Sequence, residues 1–503
     1  MVMPTNNNGM PNILWICSDM LRHDAIGALG NRHIKTPNID SLCSSGVAFT
    51  RAYCQNPVCT PSRASFLTGR YPFATGVMIN GNDYFPDGEQ LITKTLADRG
   101  YDCGLVGKLH LAAAFSREAL PNGESQGVTR VEPRARDGYR VFHWNHDPKN
   151  IWTAVDEYHP WIAEQGVDLG LLRKSGKIPE RLHQSVWCAD QAIHFMEEEA
   201  HSPWLLSVNF FHPHTPFDVS KERIDRFDID SLPGPLFRES DLAMQNGYLH
   251  DVDFLARPAA MRPGQFTARI LDGHQSGLSE LSGHPGKLIQ AAYWACVELV
   301  DQEIGRILDS LQSLGQRENT IVVFHADHGE PYGDHGLYSA GCRFYEGVTR
   351  VPLVFSWPGR FREGLQAEGL VELIDLVPTL HHLLGLPIAP KTHGQSLLDV
   401  LTGDAEPERF KPGVRCEYYF TCDDFSGRLN GTYGTMYRDE RYKVCVFHGL
   451  AIGELYDLQE DPGEFDNLWD SPTHADIKHR LIKESFDRCM LTIDRGPERT
   501  GHA

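Results

Sequence analysis

With 503 residues, the chain has room for one large domain plus a smaller one, or for two or three modest ones, which excludes a peptide hormone, a coiled coil and a small disulfide-stapled scaffold. Apolar residues make up 41% and charged residues 23%, with 46 Gly and 31 Pro, the composition of a globular protein rather than a disordered or fibrous one. The formal charge of −20 argues against nucleic acid or an anionic membrane as partner, since both are bound by clustered cations; an anionic substrate requires positive charge concentrated locally.

The polar, Asn-rich start from Met1 to Met10 runs into the apolar segment Ile13 to Cys17, too short for a signal-peptide core and without basic residues before it. No run of 18 or more apolar residues occurs, so no transmembrane helix is predicted, and the cytoplasm is the expected compartment. Ile13 to Ser18 reads as a buried strand, Trp204 to Phe210 as a second and Asn319 to His325 as a third. Before the third, Ile289, Ala292, Cys296, Val300, Ile304, Ile307 and Leu311 recur near every 3.6 residues and Gly315 follows, which predicts an amphipathic helix. Val351 to Ser356, stopped by Trp357-Pro358-Gly359, is a further strand. The alternation predicts an α/β fold with a mainly parallel sheet. Residues 116–184 and 218–286, rich in Gly, Pro, Arg and Asp and weakly periodic, read as long insertions over one edge of the sheet, where selectivity often resides. From Pro407 onward, short β-prone pieces (Tyr418 to Thr421, Tyr433 to Tyr437, Tyr442 to Phe447) and a terminal helix near His474 to Leu491 predict a smaller C-terminal antiparallel sheet. The expected division is 1–405 for the large α/β domain and 406–503 for the small one.

Twelve cysteines are scattered without a C-x-x-C pair or zinc spacing, which indicates neither a disulfide framework nor a thiolate metal site. Most read as small buried hydrophobes in a reducing compartment. Asp19 directly follows the first strand, and Asp327-His328-Gly329 follows the third. Ligands of open α/β sheets bind beyond the carboxyl ends of strands, so neighbouring strands would gather Asp19, Asp327 and His328 into an oxygen-rich site for a hard divalent cation. Taken alone, Asp19 reads equally as an acid capping a turn. Cys59, before a Pro-Ser-Arg turn and a helical segment, reads as a thiolate nucleophile favoured by the helix N-terminus and Arg63, or as a plain buried thiol.

The segment Cys59-Thr60-Pro61-Ser62-Arg63, followed by Ala64-Ser65-Phe66-Leu67-Thr68-Gly69-Arg70, resembles the signature of the type I, formylglycine-dependent sulfatases, C-x-P-S-R-x-S-x-L/F-T-G. Pro11-Asn12-Ile13-Leu14, Thr36-Pro37-Asn38-Ile39-Asp40, Gly107-Lys108-Leu109-His110-Leu111, Phe211-His212-Pro213-His214-Thr215-Pro216, Asp327-His328-Gly329-Glu330 and Glu454-Leu455-Tyr456-Asp457-Leu458 with Asp461-Pro462-Gly463-Glu464 resemble further blocks of that family in their usual order. The resemblance covers nearly the whole chain and implies the fold of the alkaline phosphatase-like superfamily, a large mixed sheet sandwiched by helices. It implies that Cys59 is converted to formylglycine by a formylglycine-generating enzyme. One hydroxyl of the hydrated aldehyde then attacks the sulfur of a sulfate ester, and the second loses its proton to expel sulfate.

By the same resemblance, Asp19, Asp327 and His328 bind a divalent metal together with the modified Cys59; Ca²⁺ is the family's habit, and the imidazole also suits Mn²⁺. Arg63 holds the diol. Lys108 and His110 bind a sulfate oxygen and take the proton, their spacing of two placing both on one side if the segment is extended. His214 binds sulfate or protonates the leaving group, and His212 is substrate-facing or structural. Two departures stand out. Met20 occupies a place where many relatives have a further oxygen ligand, with Asp24 as the nearby replacement. Ala340 stands where the family commonly has lysine, with Arg343 as the replacement that would contact sulfate. The implied substrate is a carbohydrate or small organic sulfate, with Trp144, Trp152, Trp161 and Trp187 serving either as a platform for it or as core. Two alternatives remain: a phosphonate monoester or phosphodiester hydrolase of the same superfamily, against which the G-K-x-H-L block weighs, and a pseudoenzyme that binds sulfated ligands without turnover.

Overall fold

The segment NILWICS forms a strand, β1 (Asn12–Ser18), in which all seven positions are buried, because a strand covered on both faces reads as a continuous apolar run instead of an alternating one. In the computed structural model, residues 9–113, 135–148, 156–168, 179–201, 203–247, 285–338, 341–389, 391–420 and 432–493 are described. Chain order continues with β2 (Val47–Phe49), β3 (Ala52–Tyr53), β4 (Asp102–Gly107), β5 (Val141–Trp144), β6 (Trp204–Phe210), β7 (Thr320–Ala326), β8 (Arg350–Val351), β9 (Leu353–Ser356), β10 (Leu365–Ala367) and β11 (Val371–Glu372). The C-terminal strands are β12 (Val414–Phe420), β13 (Thr432–Arg438), β14 (Tyr442–Phe447) and β15 (Gly453–Asp457). The helices that bear on the site are α1 (Pro37–Ser44), α2 (Cys59–Thr68), α3 (Gln184–His194), α4 (Pro285–Ser313) and α5 (Ala475–Leu491).

The main sheet has eight strands in the order β10-β2-β9-β7-β1-β6-β4-β5. All neighbours are parallel except β9, which runs antiparallel to both β7 and β2. Helices surround it, and the mixed, mainly parallel α/β sheet expected from the sequence is what forms. Trp15 and His325 lie on one face, where Phe66 of α2 packs its ring against both. The Trp15 indole donates to His325 Nε2 at 2.7 Å, so this polar pair costs little despite its burial. The single strand expected over Val351 to Ser356 is divided: β8 pairs with β3 in a small three-stranded sheet and β9 with β7 in the main one. Pro352 lies between them and offers no N–H to a ladder. The stretch 116–184, read as insertion, also supplies the edge strand β5.

β12 to β15 form the separate antiparallel sheet. Its period-two alternation sends Val414, Cys416, Tyr418, Met436, Cys445 and Phe447 into one core continuous with that of the main sheet. Tyr437, Val444 and Leu455 face the other way, onto Leu481 of α5. A buried ionic network ties these parts together. Lys411 Nζ bonds Glu372 at 2.7 Å and Asp375 at 2.5 Å, with all three side chains fully buried. Arg488 of α5 bonds Glu372 at 2.9 Å, and the Tyr71 hydroxyl donates to the same carboxylate at 2.7 Å.

Candidate active site

Strand order assembles the site. Ser18 of β1 is in register with Ala326 of β7 and with Phe210 of β6, so Asp19, Asp327 and the His212–His214 segment leave the sheet side by side. Gly107 of β4 pairs with Asn209 of β6 and with Trp144 of β5, which brings Lys108 and then Asn145-His146 to the same edge. Parallel strands thus deliver residues that are far apart in sequence to one carboxyl end. Two backbone conformations next to the cluster are left-handed at non-glycine residues, Met20 (φ 63) and His110 (φ 55), a strain that concentrates at functional sites.

Cys59 is the first residue of α2 and is buried. Its Sγ lies 3.5 Å from Asp19 Oδ1, 3.3 Å from His328 Nε2 and 3.6 Å from Lys108 Nζ. Burial, and after it the Asp19 carboxylate, push the thiol up. Both work against the thiolate read from the helix N-terminus and Arg63. Arg63 Nε bonds Asp327 Oδ2 at 3.0 Å, and its Nη1 donates to the Lys108 carbonyl at 2.9 Å. Nη2 lies 3.2 Å from Asp19 Oδ2 without the geometry of a hydrogen bond, and so remains a buried donor with no partner among the described residues. Lys108 Nζ bonds Asp19 Oδ2 at 2.5 Å. Burial disfavours the Lys108 charge, but Asp19 and Cys59 more than offset this and raise its pKa. Burial likewise works against the Asp19 charge, and Lys108 and Arg63 hold its carboxyl well below the usual range.

Asp19, Cys59, Asp327 and His328 are all buried and converge closely enough to share one ion. The donor set fits a divalent cation. His328 Nδ1 lies 2.8 Å from the Gly329 carbonyl, which can only accept, so Nδ1 carries the proton and donates while the lone pair of Nε2 is left for a metal. Two carboxylates and one imidazole suit Ca²⁺ or Mn²⁺. Met20 adds no oxygen from its side chain; its N–H donates to Asp327 Oδ1 at 3.1 Å, orienting that carboxylate. Asp24 does not replace the missing ligand, because both its oxygens are taken by Arg22, at 2.8 and 2.6 Å.

His110 is buried beside the cluster, and burial, then Lys108 and His146, hold its pKa well down. The backbone carrying it is not extended: β4 ends at Gly107, so the left-handed turn at His110, rather than a pleat, sets its direction. His214 Nδ1 donates to the Thr215 carbonyl at 2.6 Å. Burial lowers its pKa to about 4 against the opposing pull of Asp19, leaving a neutral ring with a free lone pair at Nε2. His212 is turned into the protein. It is fully buried, its Nε2 bonds Asp218 at 2.5 Å, and its carbonyl accepts from Ser18. His183 shares the same Asp218 oxygen at 3.1 Å. These three groups are close enough to surround an ion, but His183 Nδ1 accepts from the Ser185 N–H, so its Nε2 carries the proton and donates to Asp218. The arrangement positions the His212–His214 turn.

Arg343 is fully buried and bonds Gln245 at 3.1 Å and the Cys342 carbonyl at 2.9 Å, and it acts electrostatically on Glu454 of β15. Gln245, Cys342 and Glu454 are not members of the Cys59 cluster. Ala340 and Trp152 lie outside the described residues. Trp144 and Trp187 are core residues, 3% and 1% exposed, and Trp161 packs against the same core. Sequence reasoning missed two buried groups. Glu330 is pushed up to about 8 by burial, against His328. His146 sits edge-on to His110 with ring centroids 4.8 Å apart; a histidine two residues past a short edge strand carries no motif, and only the pairing of β4 with β5 reveals it.

Comparison with known proteins agrees with this geometry. An arylsulfatase of Clostridium perfringens is 28% identical over 495 residues, 94% of each chain. The crystal structure of a phosphonate monoester hydrolase from Agrobacterium radiobacter superposes with a TM-score of 0.76 at 25% identity, covering 96% of each chain. A structure holding its substrate D-glucosamine-2-N,6-O-disulfate has the same fold, with a TM-score of 0.70 at 21% identity over 98% of this chain and all of that one. The C-terminal profile of N-sulphoglucosamine sulphohydrolase matches residues 333–489. The sulfatase profile itself matches residues 11–386, a span that contains every member of the Cys59 cluster, and the chain belongs to the sulfatase family of the alkaline phosphatase-like superfamily.

Proposed function

We propose that this hydrolase cleaves sulfate monoesters of carbohydrates or small organic alcohols, using formylglycine made from Cys59 and a divalent cation, Ca²⁺ by preference, and releasing inorganic sulfate. The observation that carries the reading is the convergence of Asp19, Asp327 and His328 on Cys59 with Lys108 and Arg63 closing the same buried pocket. When bound, the cation would neutralise charge on the sulfuryl oxygens, and the hydrated formylglycine would supply the attacking oxygen. Charge counting favours an anionic ester. Asp19 and Asp327 balance Arg63 and Lys108, so a divalent ion leaves the pocket about two positive charges in excess, matched to an anionic ester.

The chain's own residues then divide the work. Arg63 Nη2, 3.2 Å from Asp19 but without a hydrogen bond among the described residues, has an N–H to give to a sulfate oxygen. Lys108 brings a full charge to 3.6 Å from the nucleophile position. His110, neutral and buried, accepts a proton from that position. His214, its Nδ1–H fixed on the Thr215 carbonyl, serves the bridging oxygen only once Nε2 has taken up a proton. The buried walls exclude water, which strengthens each of these interactions.

The test is direct. Chain made beside a formylglycine-generating enzyme should yield a proteolytic peptide ending at Arg63 that is about 18 Da lighter at residue 59, and it should release sulfate from a panel of sulfated sugars. An unconverted thiol with no sulfate released from any of them refutes the proposal. The likeness to the phosphonate monoester hydrolase favours a second reading, hydrolysis of phosphonate monoesters by the same groups. Relative rates on nitrophenyl sulfate and a phenylphosphonate ester separate the two, and a large preference for the phosphonate selects the second.

A further inference from the structure

His146 is a polar group in the active-site wall that the reaction described above leaves unused. It follows β5, whose Trp144 is in register with Gly107 of β4, and Asn145 N–H donates to the Gly107 carbonyl at 3.2 Å. The turn is locked: Asn145 Nδ2 bonds Asp156 at 2.7 Å and the Asp147 carbonyl at 3.3 Å, and Asp156 is in turn held by His159 at 2.8 Å. The result is an imidazole placed edge-to-face on His110, centroids 4.8 Å apart at 88°, within the field of Lys108, His214 and Asp19. Its Nδ1 has no hydrogen-bond partner among the described residues, although a buried polar group ordinarily has one, and 6% of the residue stays accessible.

The chemistry of the missing partner follows from what already surrounds the sulfate. Arg63 and Lys108 are donors only, and sulfate oxygens are acceptors only, so the anion is served without His146. Burial, reinforced by Lys108 and His214, holds this ring down at about 3, so near neutrality it carries one N–H and one lone pair. A hydroxyl, which both donates and accepts, is the group that matches such a ring in either tautomer. We propose that His146 is a specificity-determining residue that hydrogen-bonds a hydroxyl on the alcohol portion of the ester, next to the sulfated carbon, and so selects hydroxyl-bearing sulfates over those without one. This rests on the sulfate-ester reading and deepens it.

The experiment compares two chromogenic esters that differ at that place: 4-nitrocatechol sulfate carries a hydroxyl ortho to the sulfate, and 4-nitrophenyl sulfate lacks it. Binding of each is titrated calorimetrically to Cys59→Ala protein, with His146 intact or replaced, and kcat/KM is measured in parallel with Cys59 present. His146→Ala is expected to weaken binding and kcat/KM for the catechol ester by about tenfold and for the phenyl ester by less than about threefold. His146→Gln, which keeps a donor and an acceptor, restores most of the loss. If His146→Ala shows no cooperative thermal unfolding, His146→Leu, which fills the space without polarity, takes its place in the same comparison. Equal losses on the two esters, or none on either, overturn the proposal. Binding of both esters with no sulfate released by the converted enzyme refutes sulfate-ester hydrolysis, while the His146 comparison in the Cys59→Ala protein still decides the hydroxyl contact.

Discussion

Replacing Lys108 by Met removes one charge from a fully buried pocket while keeping the side chain's length. Lys108 Nζ is 2.5 Å from Asp19 and 3.6 Å from the position of the nucleophile, with 2% of the residue exposed. A unit charge at 3.6 Å and an effective dielectric of about 20 is worth about 4–5 kcal/mol. Arg63 remains as a second cation and water partly fills the gap, so about 3–4 kcal/mol of transition-state stabilisation should be lost, a fall of about 10²- to 10³-fold in kcat. The loss belongs to kcat more than to KM, because charge on the sulfuryl oxygens and on the leaving oxygen grows in the transition state. The assay is steady-state hydrolysis of an aryl sulfate, with conversion of residue 59 confirmed by mass in both proteins. A Lys108→Met enzyme with full conversion and kcat within about fivefold of wild type would refute the placement of Lys108 in the reacting centre.

Other perturbations follow from the same geometry. Lys411→Met leaves the buried Asp375 without its cation and Glu372 with Arg488 alone. Breaking such a pair costs about 3–5 kcal/mol, visible as a lower Tm and a lower denaturant midpoint. The same network sets acid sensitivity. Burial acts against the Glu372 charge, but Lys411 and Arg488 hold its pKa down to about 2 from an ordinary 4.5, so its contribution is complete above pH 4.5 and is lost as pH falls towards 2; the stabilities of wild type and Lys411→Met should differ most above pH 4.5 and converge as pH falls through that window. Chelation should abolish turnover and lower the Tm, with recovery on adding Ca²⁺ or Mn²⁺; full activity in chelator-treated, metal-free protein contradicts the ligand set. Asp24→Asn, which alters a group paired with Arg22 outside the ligand set, should leave kcat/KM within about twofold.

Much of this was legible before the structure, for identifiable reasons. β1, β6 and β7 are covered on both faces, so their apolar runs stand out in sequence, and α4 announces itself by its 3.6-residue repeat. Asp19 and Asp327-His328 were readable because they directly follow those strands. β4 and β5 were not, since Gly104, Gly107 and His143 dilute the apolar signal, and with them the origin of Lys108, His110 and His146 at one sheet edge stayed hidden. Asp24 looked available because sequence shows charge but not pairing; Arg22 holds both its oxygens. What opposes the thiolate reading of Cys59 was hidden for a related reason. A helix N-terminus and an arginine are visible in sequence, whereas burial beside Asp19, which outweighs them, is not.

The central claim is that residue 59, once converted, and the groups around it hydrolyse a sulfate ester. Inorganic sulfate released from 4-nitrophenyl sulfate and from sulfated glucosamine should be measured for the converted protein and for Cys59→Ala. Stoichiometric release by the former and none by the latter is the predicted result. Converted, metal-loaded protein that releases no sulfate, or that cleaves a phenylphosphonate ester far faster, would contradict it.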